Sequence, residues 1–167
     1  MQTIEIIEVK SHDAIHKVVD LADTIWREHY TAIIGKAQVG YMLEKFQSKE
    51  AVISQIRSNS SYFLLTLNEQ PVGYLSYYPK NETLFLSKIY VLQEYRGKGI
   101  GKAGMSFVQA QSEKLGFHSI TLTVNKYNTT SIVAYERLGF QKVESVVMDI
   151  GEGFVMDDYV MKKQIVN

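Results

Sequence analysis

The stretch that most constrains this chain runs from Ser87 to Gly104 and reads SKIYVLQEYRGKGIGKAG. Ile89, Tyr90, Val91 and Leu92 form a short apolar run of strand character. A loop with Arg96, Gly97, Lys98, Gly99 and Gly101 follows, and a helical pattern starting at Ile100 begins at once. Strand, glycine loop and helix in that order build an anion site. The first N–H groups of a helix have no partner within it and sit at the positive end of its dipole, so they attract a phosphate. Glycines let a ligand reach those amides with no Cβ in the way, while Arg96, Lys98 and Lys102 add mobile positive charge.

An ordinary tight turn with solvated lysines is one reading of this loop. A dinucleotide fold is another, because Gly99, Gly101 and Gly104 satisfy G-x-G-x-x-G. That fold places an acid on the ribose about twenty residues further on, and Ser119 to Tyr127, SITLTVNKY, contains none. A mononucleotide P-loop requires Ser or Thr after Gly101-Lys102, where Ala103 stands, and a first glycine where Arg96 stands.

The third reading is a family resemblance. Arg96-Gly97-Lys98-Gly99-Ile100-Gly101 resembles the R/Q-x-x-G-x-G/A signature of the GNAT superfamily of acyl-CoA-dependent N-acetyltransferases. Asn128 through Phe140, NTTSIVAYERLGF, is similar to that superfamily's N-x6-Y-x3-G-F segment. The two blocks occur in the family's order.

The length of 167 residues suits one domain, 1–167, with a sizeable core. Eighteen basic and eighteen acidic residues balance, so bulk charge predicts neither nucleic-acid nor membrane binding. There is no cysteine, which excludes disulfides and thiolate chemistry and suits a reducing cytoplasm. The first residues, MQTIEIIEVK, lack the basic-then-apolar pattern of a signal peptide, and a cytoplasmic location is expected.

Along the chain, Thr3 to Val9 reads as a strand, and Ser11 with Asp13 starts a helix whose apolar stripe is Ile15, Val18, Val19, Ala22, Ile25, Trp26 and His29. Two shorter helices follow around Val39–Phe46 and Val52–Ile56, punctuated by Gly35 and Ser48. Tyr62–Leu67 and Val72–Tyr78 read as a hairpin joined by Asn68-Glu69-Gln70-Pro71, and Thr83–Leu92 feeds the glycine loop. A helix from Ile100 to Leu115 that Gly116 stops, a strand over Ile120–Val124, a helix over Ser131–Leu138 and a final hairpin, Phe140–Ile150 with Phe154–Lys162, complete the order. This predicts an α/β chain of the mixed, α+β kind. The resemblance implies a central mixed, mostly antiparallel sheet of seven strands flanked by helices and splayed at the cofactor site, between the strand before the glycine loop and the strand before Asn128.

The resemblance also implies roles. Acetyl-CoA is the expected co-substrate, with its phosphates on Arg96, Gly97, Lys98, Gly99, Ile100, Gly101 and Lys102. Backbone groups of Ile89, Tyr90 and Val91, where the strand is expected to bulge, pair with the pantetheine and polarise the thioester. Asn128 bonds the pantetheine or caps the next helix, and Ser131 and Arg137 meet the phosphate end. Tyr135 is the expected catalytic acid toward the departing thiolate, or else a helix tyrosine packed on the sheet. His29 and Tyr30 fall where relatives wall the acceptor pocket. Trp26, Tyr41 and Tyr78 are aromatic candidates for the same wall.

The proton-accepting group is less defined. Many relatives carry a Glu on the strand before the glycine loop, and polyamine-acetylating members carry two acids there. Here Leu84-Phe85-Leu86-Ser87-Lys88 has none. An amine of pKa ~10.4 costs roughly 4–5 kcal/mol to deprotonate at pH 7, so a base is expected unless the acceptor amine has a low pKa. The candidates are a water relayed by Ser87, which is favoured, Glu82, Glu28 or His29. His12 and His16 are spaced like zinc-helix ligands, but Asp13 replaces the usual Glu and no third ligand follows at metal spacing, so no metal is expected.

The aromatic-rich Trp26–Leu43 stretch and the D-x-Y-V-M-x-K ending resemble bacterial spermidine/spermine N-acetyltransferase-like members. The missing strand acids leave a polyamine without carboxylate partners, so the acceptor stays open among a small amine, a polyamine, and an amino-acid or peptide amine. The chain is expected to act by direct transfer in a ternary complex, with an acyl-CoA-binding module of the same fold as the alternative. The expected partners are a small-molecule or peptide amine, with no nucleic acid and no membrane, and a homodimer is compatible with the chain.

Overall fold

The computed structural model describes residues 2–165. β1 (Ile4–Glu8) is followed by three helices, α1 (His12–Ile34), α2 (Lys36–Gln47) and α3 (Lys49–Arg57). Strands β2 (Ser61–Leu67), β3 (Gln70–Lys80) and β4 (Thr83–Val91) lead into α4 (Ile100–Lys114). β5 (Ser119–Asn125), α5 (Thr129–Arg137), β6 (Gln141–Gly151) and β7 (Phe154–Gln164) close the order.

The helices start where the sequence places their caps. The Ser11 hydroxyl accepts from the Ala14 N–H at 3.1 Å and the Ser48 hydroxyl from the Ala51 N–H at 3.2 Å, each contributing about 1 kcal/mol. Gly35, at φ +88°, turns the chain between α1 and α2, a conformation an L side chain resists.

The seven strands form one sheet in the order β1-β2-β3-β4-β5-β7-β6. Every pairing is antiparallel except β4 with β5. A core on each face holds the helices. On one face α4 and α5 bring Ile100, Met105, Val108 and Ile132 against Leu65, Leu75, Leu86 and Leu122. On the other, Val18, Ile25 and Trp26 of α1, Val39 and Leu43 of α2 and Val52 of α3 cover Tyr62, Leu64 and Tyr74.

The β2–β3 connection is tighter than the sequence predicts. Asn68 and Glu69 alone make the turn, both at positive φ, and Gln70 and Pro71 already belong to β3. A register shift opposite Leu65 and Thr66 accommodates them: Leu65 faces Gly73 and Thr66 faces Pro71, so Val72 is the extra residue. A bulge is where a strand tolerates the missing N–H of proline.

The strand pair that matters most is the one that comes apart. β4 and β5 pair only at Leu84 with Ile120 and at Phe85 with Thr121. Beyond those residues β4 runs on to Val91 and β5 to Asn125 with no pairing between them. The expected splay is present. The expected bulge lies elsewhere than over Ile89–Val91: Ser76 faces Lys88 while Tyr77 faces Leu86, which leaves Ser87 as the bulged residue. Ile89, Tyr90 and Val91 instead pair regularly with Leu75, Tyr74 and Gly73 of β3. Bulge position depends on the partner strand's register, which β4 alone does not encode.

Candidate active site

The gap between β4 and β5 opens into a cleft of about 540 Å³. Because Leu92 N–H donates to Val72 O of β3 at 2.8 Å, the alternating backbone turns the N–H groups of Val91 and Ile89 toward the cleft. These two amides are available to a ligand strand or a carbonyl oxygen.

At one end of the cleft α4 begins. Gly97 and Gly99 hold φ of +78° and +83°, and Gly99 is the N-cap with no side-chain cap. The free first-turn amides and the dipole therefore face the cleft without competition from a side chain. A Cβ added at Gly99 or Gly101 meets nothing within 4 Å, so the space over the loop is open to an anion. Arg96 folds back so that its Nε donates to Val91 O at 3.3 Å. Lys102 lines the cleft; Lys98, expected to do so, lies exposed outside its lining.

Across the gap stands α5. Asn128 is 4% exposed and precedes the helix, yet its side chain makes no capping hydrogen bond. Of its two expected roles the capping one is absent, and the buried amide lines the cleft. Ser131, Tyr135 and Arg137 line the same wall. The Tyr135 ring meets Phe140 edge-on at 5.8 Å between centroids. Burial, and then the neighbouring Tyr30, raise the Tyr135 pKa well above that of a free phenol. The phenol is thus neutral, and a hydrogen donor, at any working pH.

His29 and Tyr30, near the end of α1, close the cleft on the other face. The Tyr30 and Tyr90 hydroxyls lie 3.1 Å apart. The His29 imidazole pKa is lowered, first by burial and then by Arg96, so the ring is neutral at pH 7. Of the other base candidates, Ser87 lines the cleft. Glu28 is taken by the backbone, accepting from Gln93 N–H at 3.0 Å, and Glu82 is exposed at the β3–β4 turn; neither lines the cleft.

The remaining aromatic candidates are structural. Trp26 is 4% exposed and donates to the Tyr74 hydroxyl at 3.1 Å. Tyr41 donates to Ile150 O at 2.6 Å, tying α2 to β6, and Tyr78 packs on Phe85. None lines the cleft.

Two residues gain importance that the sequence did not suggest. Lys88 lines the cleft, held by Ser87 and Gln55. Asp158 of β7, paired with Asn125, is 6% exposed; burial, and then Asp157, push its carboxyl up to about 6. Its charge is felt at Tyr30. A hydropathy pattern cannot flag a charged residue that only a bulge or a cross-strand register aims inward.

No group of three or more His, Cys, Asp or Glu that could hold a metal occurs among the described residues, and no described helix is long and apolar enough to cross a membrane.

A parted strand pair beside a helix start, with a neutral phenol on the opposite wall, defines a site for an extended ligand bearing an anionic end. The sequence profile described as "Acetyltransferase (GNAT) family" matches residues 18–140, and the chain belongs to that family. That family is one of acetyltransferases. An uncharacterized N-acetyltransferase of Methanocaldococcus jannaschii is 31% identical over 97 residues, 54% of this chain and 43% of that protein. The chain thus spans less than half of that relative. A spermidine N(1)-acetyltransferase of Thermoplasma acidophilum is 25% identical over 160 residues, 93% of this chain and 96% of the relative. In structure, the PaiA N-acetyltransferase of Thermoplasma acidophilum, crystallised with coenzyme A, superposes with a TM-score of 0.82 at 20% identity, covering 97% of this chain and 99% of that one.

Proposed function

We propose that this chain moves an acetyl group from acetyl-CoA directly to a primary amine of a small molecule or peptide, both substrates being bound together. The observation that carries the proposal is the end of β4–β5 pairing at Phe85 and Thr121. It leaves the Ile89 and Val91 amides unpaired between an anion-binding helix start and Tyr135.

The residues fit the co-substrate. The α4 amides, Arg96 and Lys102 hold the phosphates, with Ser131 and Arg137 beside them. Asn128 and the Ile89 and Val91 backbone bind the pantetheine arm. An amide aimed at the thioester oxygen stabilises the charge that develops there, an effect worth a few kcal/mol, about 3, when preorganised. The amine attacks the acetyl carbon, the C–S bond breaks, and the Tyr135 hydroxyl donates a hydrogen bond to the leaving sulfur. The amine's proton passes to water beside Ser87 or to His29, which is neutral and able to accept it. With no cysteine in the sequence, no enzyme thiol carries the acetyl group.

The likeness to a spermidine acetyltransferase speaks for a polyamine acceptor. The cleft lining speaks against it, since no Asp or Glu is present to bind further ammonium groups. The test is release of free thiol from acetyl-CoA with a panel of amines. Amine-dependent release supports the proposal; tight CoA binding with no release on any amine reduces the chain to an acyl-CoA-binding module.

A further inference from the structure

Lys88 is a cation walled in by uncharged groups. It follows the bulged Ser87 and faces the side of the sheet covered by α1–α3, with its Nζ 5.6 Å from the Tyr62 ring centre. The Nζ donates to Ser87 Oγ at 2.9 Å and to Gln55 Oε1 at 3.5 Å. That oxygen also accepts from the Tyr62 hydroxyl, and Gln55 Nε2 is anchored on Phe46 O at 2.8 Å, so the ammonium is held rather than swinging. An ammonium has three N–H donors, and two are spent on neutral oxygens.

No carboxylate forms an ion pair with Lys88 among the described residues. Burial alone pushes its pKa down, to about 8, with no acid to offset it. A buried charge with no counter-ion is costly, and a ligand anion would remove the cost. The CoA diphosphate is not that anion. Its site is the start of α4, which packs on the opposite face of the sheet.

We infer that the acceptor is a small amine carrying a carboxylate, and that Lys88, which lines the cleft and whose Nζ sits on the cleft-lining Ser87, binds that carboxylate. The inference rests on the acetyl-transfer reading above and names the substrate class of the same site. The fixed cation also favours the free-base form of a nearby amine, because like charges oppose its protonation. One residue thereby selects the acceptor and eases its deprotonation.

The test compares amines that differ only by a carboxylate: L-ornithine with putrescine, L-lysine with cadaverine, and L-phenylalanine with phenethylamine, each with acetyl-CoA and thiol detection. The amino acid of a pair should show a kcat/KM at least roughly tenfold higher, the worth of one hydrogen bond to a charged group. Lys88→Met should raise KM for the amino acids and collapse the ratio, while Lys88→Arg should preserve it. Thermal melting shows whether each variant is folded, and the wild-type ratio decides the matter if Lys88→Met is not. Equal or better turnover of the carboxylate-free partners overturns the inference and leaves the transferase reading intact. No thiol release with any amine overturns the transferase reading itself.

Discussion

Tyr30 of α1 and Tyr90 of β4 meet hydroxyl to hydroxyl at 3.1 Å, joining the helix that closes the cleft to the strand that floors it. Burial raises the pKa of both phenols, so the contact is a neutral hydrogen bond across the working pH range. It ties α1 to β4 where both line the cleft.

Removing either hydroxyl leaves the other buried without its partner. Tyr30→Phe is expected to cost about 1–3 kcal/mol in denaturant unfolding. The Tyr30→Phe, Tyr90→Phe pair should cost less than the sum of the single changes, since the double variant leaves no orphaned hydroxyl. Additive single effects would show that the bond does not couple α1 to β4.

Tyr135→Phe keeps the ring against Phe140 and removes only the donor. Turnover should fall about a hundredfold, in the range of proton-donor effects, while CoA affinity by calorimetry stays close to wild type. An unchanged rate would strip Tyr135 of its role at the leaving sulfur.

Gly101 lies in the first turn of α4 at an ordinary helical conformation with open space around it. Gly101→Glu should therefore fold, with a thermal midpoint at or above that of wild type, because glycine is a poor helix former by about 1 kcal/mol. Its carboxylate occupies the phosphate site, and CoA binding should be lost. Gly99→Glu confounds the two effects, since φ of +83° strains any L side chain there. Retained CoA affinity in a folded Gly101→Glu protein would place the phosphates elsewhere.

Lys88 makes stability depend on pH in a defined window. Its folded pKa, about 8, lies below the 10.5 of an unburied lysine, so between those values the unfolded chain binds more protons. The penalty is fully present below pH 8 and is relieved as pH rises toward 10.5. Lys88→Met should raise the thermal midpoint at pH 7, with the gain shrinking steadily above pH 8. A gain independent of pH would mean that apolar packing, not relief of a buried charge, explains the variant.

Much of the fold is written in local periodicity. Ile120, Leu122 and Val124 alternate because a strand buries every second residue, and the stripe from Ile15 to Trp26 repeats because a helix turns every ~3.6 residues. The glycine loop is equally local. Left-handed backbone at Gly97 and Gly99 and the free amides of α4 follow from residues adjacent in the chain. The half of the cleft proposed above to hold CoA is legible for that reason, including Asn128 and Tyr135 in one short block around α5.

The acceptor half depends on elements far apart in sequence. Ser87 is bulged only because β3 supplies one residue where β4 supplies two, and that register brings Lys88 to Gln55. Trp26 and Tyr41, which the sequence offered as acceptor contacts, are consumed by Tyr74 and Ile150. Asp158 is brought toward Tyr30 by pairing with Asn125. From the sequence alone one obtains the strands, the helices and the glycine turn with its free amides, since these arise from neighbours along the chain. Which side chains confront the amine was decided by tertiary structure, because strand register and helix placement are fixed by partners that no local stretch contains.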